Sequence, residues 1–149
     1  MGKYVVVDID GTIAKVSDNR LKFLQQKQKD WDTFYKLCFN DEPIQEMIDL
    51  VQTLIDSQKY QIAFCTGRRE SVFAETAKWI HKYLDTDTVL LLMRKHNDFR
   101  HDTEVKPELL SENGITPKNT LLILEDRASM CKKWRELGFR CLQVDNGEF

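Results

Sequence analysis

Two aspartates, two positions apart, follow the first apolar stretch of the chain in the sequence Asp8-Ile9-Asp10-Gly11-Thr12. In an extended chain, side chains at alternate positions point the same way, so the two carboxylates are expected side by side. Such a pair repels unless a cation lies between them or one is protonated, and it suits an oxygen-binding metal such as Mg²⁺. Gly11 allows the chain to turn sharply away. Asp-Gly is also a common turn sequence, so this motif alone leaves a metal site and an ordinary turn both open.

A second polar group follows another apolar run, in Cys65-Thr66-Gly67-Arg68-Arg69. A hydroxyl, a flexible glycine and a helix N-terminus together form a cradle for a phosphate group. Arg68 can add a bidentate clamp on the oxygens of that group. The alternative is a routine helix cap, which Thr-Gly also provides.

Two further charged positions complete the pattern. Lys106 is expected near the start of a helix, and Glu125-Asp126 follows the apolar residues Leu122-Ile123-Leu124. Taken singly, the lysine is explained as a surface charge and the two acids as solvation of a strand end. In an open parallel sheet, however, ligands bind beyond the carboxyl ends of the strands. Four polar groups at four successive ends would therefore meet in one crevice.

The elements that must position these groups are five short apolar runs, rich in Val, Ile and Leu, that do not alternate with polar residues. This pattern is typical of parallel strands covered on both faces. The predicted strands are Tyr4 to Val7, Gln61 to Cys65, Thr88 to Met93, Thr120 to Leu124 and Arg140 to Val144.

Helical periodicity separates the predicted strands. It runs from Ile44 to Ile55 after Pro43, from Val72 to Tyr83, and from Met130 to Leu137, where Gly138 is placed for a C-cap. A shorter helix is predicted for Lys106 to Asn113. Alternating strands and helices predict an α/β fold with a doubly wound, Rossmann-like parallel sheet.

The first connection is unusually long. Residues 16–42 contain Trp31, Phe34, Tyr35 and Phe39 at near-helical spacing, so we expect a small helical cap inserted after the first strand. Two interpretations stay open and are compatible: a helix packed on the domain by its aromatic side chains, and a lid over the site. No linker divides the chain, so we predict one domain over residues 1–149.

Composition restricts the class of protein. The 149 residues carry a net charge of −2, which gives no bulk basic field for nucleic acid or membranes but leaves a local basic site possible. No apolar run is long enough to span a bilayer and the N-terminus does not resemble a signal peptide, so we expect a cytoplasmic protein. The four cysteines form no Cys-x-x-Cys pair and are expected to be buried thiols.

The four polar groups, in this order, resemble the motifs of the haloacid dehalogenase superfamily, and the resemblance covers nearly the whole chain. It implies a phosphatase in which Asp8 attacks phosphorus and forms an aspartyl-phosphate. Asp10 would protonate the leaving oxygen and then activate water. Thr66 and Lys106 would hold the phosphoryl oxygens.

The same resemblance implies a Mg²⁺ ion held by Asp8, by the backbone carbonyl of Asp10 and by Asp126, with Glu125 in or beside that shell. Thr12 would help to orient the aspartates. The predicted substrate-binding residues are Thr12, Gly67, Arg68 and Arg100. For Arg68 and Arg100 the alternative is an ordinary surface arginine.

A narrower resemblance concerns the C-terminal half. The stretches Met93 to Lys106, Glu125 to Arg127 and Trp134 to Phe149 look like the 3′-phosphatase domain of bacteriophage polynucleotide kinase and its stand-alone relatives. No P-loop is present in the chain, so the kinase activity is not expected. Glu125 stands where the phage domain has Asp, and the cap region differs.

The resemblance implies hydrolysis of the 3′-phosphate of a polynucleotide end, with nucleotide or nucleic-acid 3′-phosphate ends as the partners and no obligate protein partner. A phosphatase of nucleoside monophosphates or other small metabolites is the alternative, which the near-neutral charge favours. A nucleotide-binding module without catalysis is the third possibility.

Overall fold

A computed structural model describes residues 3–147 and contains a five-stranded parallel sheet flanked by helices. The two residues at each end of the predicted domain 1–149, including the last two of the C-terminal stretch ending at Phe149, lie outside the described part. The strands, in the spatial order β3-β2-β1-β4-β5, are β1 (Tyr4–Val7), β2 (Gln61–Arg69), β3 (Leu90–Arg94), β4 (Thr120–Arg127) and β5 (Cys141–Gly147). The doubly wound parallel sheet predicted from the apolar runs is confirmed.

Within the described residues, six α-helices join and cover these strands. They are α1 (Asp18–Leu21), α2 (Trp31–Lys36), α3 (Gln45–Asp56), α4 (Phe73–Tyr83), α5 (Asp102–Glu112) and α6 (Ala128–Glu136). Short 3₁₀ turns occupy Leu37–Asn40, Glu70–Val72 and Pro117–Asn119. No helix within residues 3–147 is long and apolar enough to cross a membrane.

Side chains from β1 enter a separate hydrophobic layer on each side of the sheet, which explains why the strands do not alternate with polar residues. Val5 and Val7 pack into the layer that contains Trp79 of α4. Val6 points to the other face and packs into the layer that contains Trp134 of α6. Both faces of the central strand are therefore buried, as is usual in parallel sheets.

The end of α6 follows the predicted glycine signal, α5 ends in the same way, and the start of α5 differs from the prediction. Gly138 and Gly114 have φ of +96° and +69° just beyond α6 and α5, where a left-handed residue ends a helix. The prediction that α5 begins near Lys106 is wrong, because it begins at Asp102. His101 caps this start, its Nδ1 atom accepting from the Thr103 amide at 3.2 Å.

The segment predicted as a cap is helical, with α1, α2 and the turn Leu37–Asn40 inside residues 16–42. Phe34 and Tyr35 are buried in the core layer of the α4 side, whereas Phe39 is 41% exposed. Trp31, Phe34 and Tyr35 also line the main cavity of the protein. The segment is thus packed by its aromatic side chains and also borders the site.

Candidate active site

A cavity of about 600 Å³ opens at the carboxyl edge of the sheet, where β1, β2 and β4 end. Its walls are completed by α2 of the cap and by the turn between β3 and α5. Of the residues predicted to act on a substrate or metal, all but Thr12 line it: Asp8, Asp10, Thr66, Gly67, Arg68, Arg100, Lys106, Glu125 and Asp126. The topology thus brings the four predicted motifs into one crevice.

Lys106 joins the ends of β1 and β4. Its Nζ atom donates to Asp8 Oδ1 and to Glu125 Oε1, both at 2.8 Å, and all three side chains are buried. The lysine reaches this position from the second turn of α5. Burial alone would lower the pKa of Lys106, but the charges of Asp8 and Glu125 outweigh it and hold that pKa well above the usual value. Lys106 is therefore a buried ammonium that offsets crowded carboxylates.

Three carboxyl groups form a cluster that can hold a metal ion. Oxygen atoms of Asp8, Glu125 and Asp126 all lie within 4.8 Å of one another. The Asp126 carboxylate sits against bare backbone, since a Cβ at Gly11 would lie 2.1 Å from its Oδ2 atom and one at Gly147 only 2.2 Å away. A set of buried oxygen donors of this kind fits a hard divalent cation.

Without a metal ion, the buried carboxyl groups of this cluster disfavour one another's charged forms. Burial raises the pKa of Glu125 and of Asp126, and the charge of Asp8 raises both further. Burial acts on Asp8 in the same direction, but Lys106 and hydrogen bonds outweigh it, so the pKa of Asp8 is lowered. Asp8 is thus the carboxylate of this cluster that stays ionised most easily, which a nucleophile requires.

Thr12 is buried beneath the carboxylates and does not reach the cavity. Its Oγ1 atom lies 3.0 Å from Asp8 Oδ2 and 3.4 Å from Asp126 Oδ1, so its single proton is within donating distance of either carboxylate. This agrees with a role in orienting the aspartates. The side chain is completely enclosed, so the geometry does not support the predicted contact of Thr12 with substrate, which stays a prediction.

Asp10 lies in a separate network of buried ion pairs. The Arg68 guanidinium binds it in bidentate fashion, with Nε and Nη2 at 3.0 and 2.7 Å from its two oxygens, and Arg20 Nη1 lies 3.0 Å away. Both arginines also contact Asp41. Burial would raise the pKa of Asp10, but the charges of Arg68 and Arg20 outweigh it and hold that pKa far below its ordinary value.

The proposed clamp of Arg68 on a substrate phosphate stays a prediction, because in this structure the guanidinium has other partners. The side chain is completely buried, and its remaining donors go to Thr76 Oγ1 at 3.1 Å and to Asp41. Arg68 positions the Asp10 carboxylate. Strand β2 continues through Arg68, whereas the predicted strand ended at Cys65.

The predicted helix N-terminus beside Thr66 is also absent. Strand β2 extends to Arg69 and α4 begins only at Phe73, so no helix begins at Thr66 or Gly67. The Thr66 hydroxyl is buried and accepts from the Arg68 amide at 3.1 Å. A Cβ at Gly67 would lie 2.4 Å from Asp102 Oδ1, so this glycine makes room for a neighbouring carboxylate.

Arg100 lies at the cavity but its guanidinium is already engaged. Its nitrogens donate to both oxygens of Asp98 and both oxygens of Glu108, at 2.7 to 3.1 Å. The structure thus does not hold Arg100 in position for the predicted contact with a substrate phosphate. Arg100 instead ties the turn after β3 to α5.

Several residues of the site were missed at the sequence level. Arg20 comes from the cap, and Arg94 and Arg127 converge on Asp102, with Arg127 Nη1 2.9 Å from its Oδ2 atom. Arg69 pairs with Asp32 of α2. Arg69, Arg94 and Arg127 are the last residues of β2, β3 and β4, a position that could have singled them out, whereas Arg20 lies in α1 and carries no such signal. A single sequence does not indicate which carboxylate each arginine will meet.

The comparisons with known proteins decide the family. The family model described as the polynucleotide kinase PNKP phosphatase domain matches residues 2–149. The chain belongs to this family. As a member of the polynucleotide kinase phosphatase domain family, which is of the haloacid dehalogenase type, it is a phosphatase.

Individual relatives agree with this assignment. The chain is 27% identical over 133 residues to a protein of Autographa californica nuclear polyhedrosis virus named "Putative bifunctional polynucleotide kinase/RNA ligase", covering 89% of this chain and 18% of the viral protein. It is 29% identical, with a TM-score of 0.78, to a chain of a Pnkp1/Rnl/Hen1 complex, covering 100% of this chain and 48% of that one. The phosphatase domain thus spans less than half the length of either relative.

A more distant structure shares only the fold. A haloacid dehalogenase family enzyme of Bacteroides thetaiotaomicron, solved with magnesium and inorganic phosphate, has a TM-score of 0.54 at 16% identity, covering 100% of this chain and 97% of that one. The α/β fold of the phosphatase domain is therefore that of the haloacid dehalogenase superfamily.

Proposed function

We propose that this phosphatase uses Mg²⁺ to remove the 3′-phosphate from polynucleotide ends through an aspartyl-phosphate on Asp8. The observation that carries the proposal is the junction of β1, β4 and α5 at one cavity, where Asp8 lies 2.8 Å from Lys106 beside Glu125 and Asp126. Membership of the polynucleotide kinase phosphatase domain family supports the substrate class.

Asp8 is suited to attack phosphorus because it is ionised, fixed and partly neutralised. Thr12 and Lys106 each hold one of its oxygens, at 3.0 and 2.8 Å, which restricts rotation of the carboxylate. Preorganised charges at a site that excludes water stabilise a transition state without reorganising during the reaction. Thr66 and Lys106 are the proposed contacts to the phosphoryl oxygens.

Asp10 is better prepared as a base than as an acid in the ligand-free protein. Arg20 and Arg68 hold it in the charged form, which accepts a proton from water. To protonate the leaving oxygen it must first gain a proton. A dianionic phosphate beside Asp10 raises its pKa by like-charge repulsion, so substrate binding itself favours the acid form.

The carboxylates Asp8, Glu125 and Asp126 are the proposed side-chain ligands of Mg²⁺, together with the predicted backbone carbonyl of Asp10. When bound, the ion would neutralise the phosphate charge that otherwise repels Asp8. Glu125 stands where the phage domain has Asp, and the longer side chain fits this site because its Oε1 atom is also the partner of Lys106.

The cavity is rich in cationic side chains although the chain as a whole is not basic. Its lining includes the cationic residues Lys29, Arg68, Arg69, Arg94, Arg100, Lys106 and Arg127, and the anionic residues Asp8, Asp10, Asp102, Glu125 and Asp126. Three further carboxylates, Asp32, Asp98 and Glu108, pair with Arg69 and Arg100, so the charges nearly balance. The support for an anionic polymer end is therefore the number of arginine and lysine side chains at the cavity, and not a net positive charge. The net charge of −2 favours the small-metabolite alternative, so both belong in one substrate panel.

Other predictions remain part of the proposal. One domain over residues 1–149, a lid function for residues 16–42, a cytoplasmic location and independence from protein partners are untested expectations. A relative in the solved structures belongs to a Pnkp1/Rnl/Hen1 RNA repair complex, so RNA ends and association with partner proteins should be tested as well.

The deciding experiment measures phosphate release, with and without Mg²⁺, from matched DNA and RNA oligonucleotides carrying a 3′- or a 5′-phosphate, and from 3′- and 5′-mononucleotides. We expect metal-dependent release from the 3′-phosphorylated oligonucleotides and none from Asp8→Asn. Hydrolysis of 5′-mononucleotides with intact 3′-phosphorylated oligonucleotides would contradict the proposed substrate. No hydrolysis of any ester would favour a binding module.

A further inference from the structure

Phe99 is exposed to an unusual degree for a large apolar side chain. It lies in the turn between β3 and α5 and is 75% exposed, the highest value among the large apolar side chains within residues 3–147. It also lines the cavity that contains Asp8 and Lys106. A single exposed apolar side chain is common on protein surfaces, so what distinguishes Phe99 is its position at the mouth of the cavity that holds the catalytic groups.

The turn that carries Phe99 is firmly held. Arg94 Nη1 donates to the backbone carbonyls of Asp98 and Arg100, at 3.2 and 2.5 Å, from the end of β3. Arg100 in turn binds Asp98 and Glu108 of α5. The ring is therefore presented by a fixed backbone, which reduces the entropy lost when a ligand binds.

Phe99 is the outer member of a cation–aromatic stack that crosses one wall of the cavity. The Arg69 guanidinium carbon lies 4.8 Å from the centroid of the Phe99 ring and 5.9 Å from that of Tyr35. Tyr35 stacks on Trp31, with centroids 5.7 Å apart and planes 27° apart. The stack formed by Phe99, Arg69, Tyr35 and Trp31 thus joins the turn after β3 to α2 of the cap.

A phosphate group alone needs none of these aromatic rings, whereas a nucleobase does. Every base has a π-face, and stacking on aromatic side chains is the main sequence-tolerant way in which proteins hold single-stranded nucleic acid. The cavity of about 600 Å³ is of the size that encloses a ligand of about one nucleotide. Because Phe99 and Asp8 line this one cavity, a base against Phe99 and a phosphate at Asp8 can belong to the same nucleotide.

We propose that Phe99 is the stacking platform for the base of the terminal nucleotide, an inference that rests on the proposed function. It selects nucleic-acid ends from other phosphate monoesters and does so without regard to base identity. Phe99 acts on substrate binding and not on the chemical step. The KM should therefore depend on the ring, while kcat should not.

The test compares two 3′-phosphorylated oligonucleotides, one with a complete terminal nucleotide and one whose terminal nucleotide lacks the base. For the wild type, loss of the base should raise KM about 5- to 150-fold, the range that one stacked base commonly contributes. Phe99→Ala should raise KM by a similar factor on the complete substrate and have almost no effect on the abasic one. Phe99→Tyr keeps an aromatic ring and should keep the low KM of the wild type, whereas Phe99→Leu loses the ring and should not.

Phe73→Ala is the matched control, because Phe73 is 47% exposed on α4 but does not line the cavity. It should leave both substrates unaffected. Equal KM values of the wild type for the two oligonucleotides would overturn the base platform while leaving the proposed function intact. So would an equal loss in Phe99→Ala on both. Hydrolysis of glycerol phosphate with both oligonucleotides intact would instead overturn the proposed function, and this inference with it.

Discussion

Replacement of Lys106 by methionine tests how the buried carboxylates are balanced. Methionine keeps most of the apolar length but removes the ammonium that lies 2.8 Å from both Asp8 and Glu125. Removing one partner of a buried ion pair typically costs about 3–5 kcal/mol, because a buried charge is left uncompensated. For a chain of this size the melting temperature should then fall by about 6–20 °C in the absence of metal.

The loss should depend on pH in a defined direction. The pKa values of Glu125 and Asp126 are raised in the folded protein to about 8 and about 9, so these groups take up protons on folding between their unfolded pKa values of about 4 and these folded values. Their contribution to metal-free stability is therefore fully present at and below about pH 4 and is lost as the pH rises through the folded pKa values. The destabilisation by Lys106→Met should be smaller at pH 5.5 than at pH 7.5, because protonation relieves the repulsion that the lysine offsets.

The assay is urea denaturation in the presence of a chelator at the two pH values. Lys118→Met is the control at an exposed lysine and should change stability by no more than about 0.5 kcal/mol. Lys106→Met/Glu125→Gln should recover part of the loss, since it removes a carboxylate together with its partner. A Lys106→Met protein as stable as the wild type, or equally destabilised at both pH values, would refute this electrostatic account.

Three further predictions follow from the site. Arg20→Gln should lower kcat and move the acid limb of the kcat–pH profile to higher pH, because loss of a guanidinium raises the pKa of Asp10. An acid limb at the same pH as in the wild type would argue against the electrostatic coupling of Arg20 to Asp10. Mg²⁺ binding near pH 7 should release protons, because Asp126 has a raised pKa and must lose its proton to bind the metal. Calorimetry in two buffers of different ionisation enthalpy measures this release. Absence of proton release would contradict a protonated Asp126 in the metal-free protein. Gly11→Ala should weaken Mg²⁺ binding at least tenfold, because the new Cβ would collide with the Asp126 carboxylate. The control is Gly114→Ala, since Gly114 also has a positive φ but has open space around it, and this variant should bind Mg²⁺ normally. Equal Mg²⁺ affinities of the two variants would contradict the steric argument.

The fold was accessible from the sequence because its main cause is hydrophobic burial. Apolar runs such as Tyr4–Val7 are covered on both sides, and this leaves a pattern that periodicity detects. The ends of the strands were harder to predict from the sequence. Strands β2 and β4 continue through the polar residues 66–69 and 125–127, whose backbone hydrogen bonds extend the sheet without any apolar signal.

The convergence of Asp8, Lys106 and Asp126 could be predicted because strand ends of a parallel sheet share one edge. The partners of Asp10 could not. Arg20 reaches it from a segment with little periodicity, and Arg68 turns inward because buried carboxylates attract it more than solvent does. Ion pairing between distant segments depends on the tertiary fold, which a single sequence does not display.

The central claim is that Asp8 carries the phosphoryl group during turnover. The most direct measurement is a rapid acid quench of the enzyme with an oligonucleotide bearing a labelled 3′-phosphate, followed by mass spectrometry of the peptide that contains Asp8. The account predicts a hydroxylamine-sensitive phosphoryl group on Asp8 during turnover, and none in Asp8→Asn. A phosphoryl group on another residue, or full activity of Asp8→Asn, would contradict it.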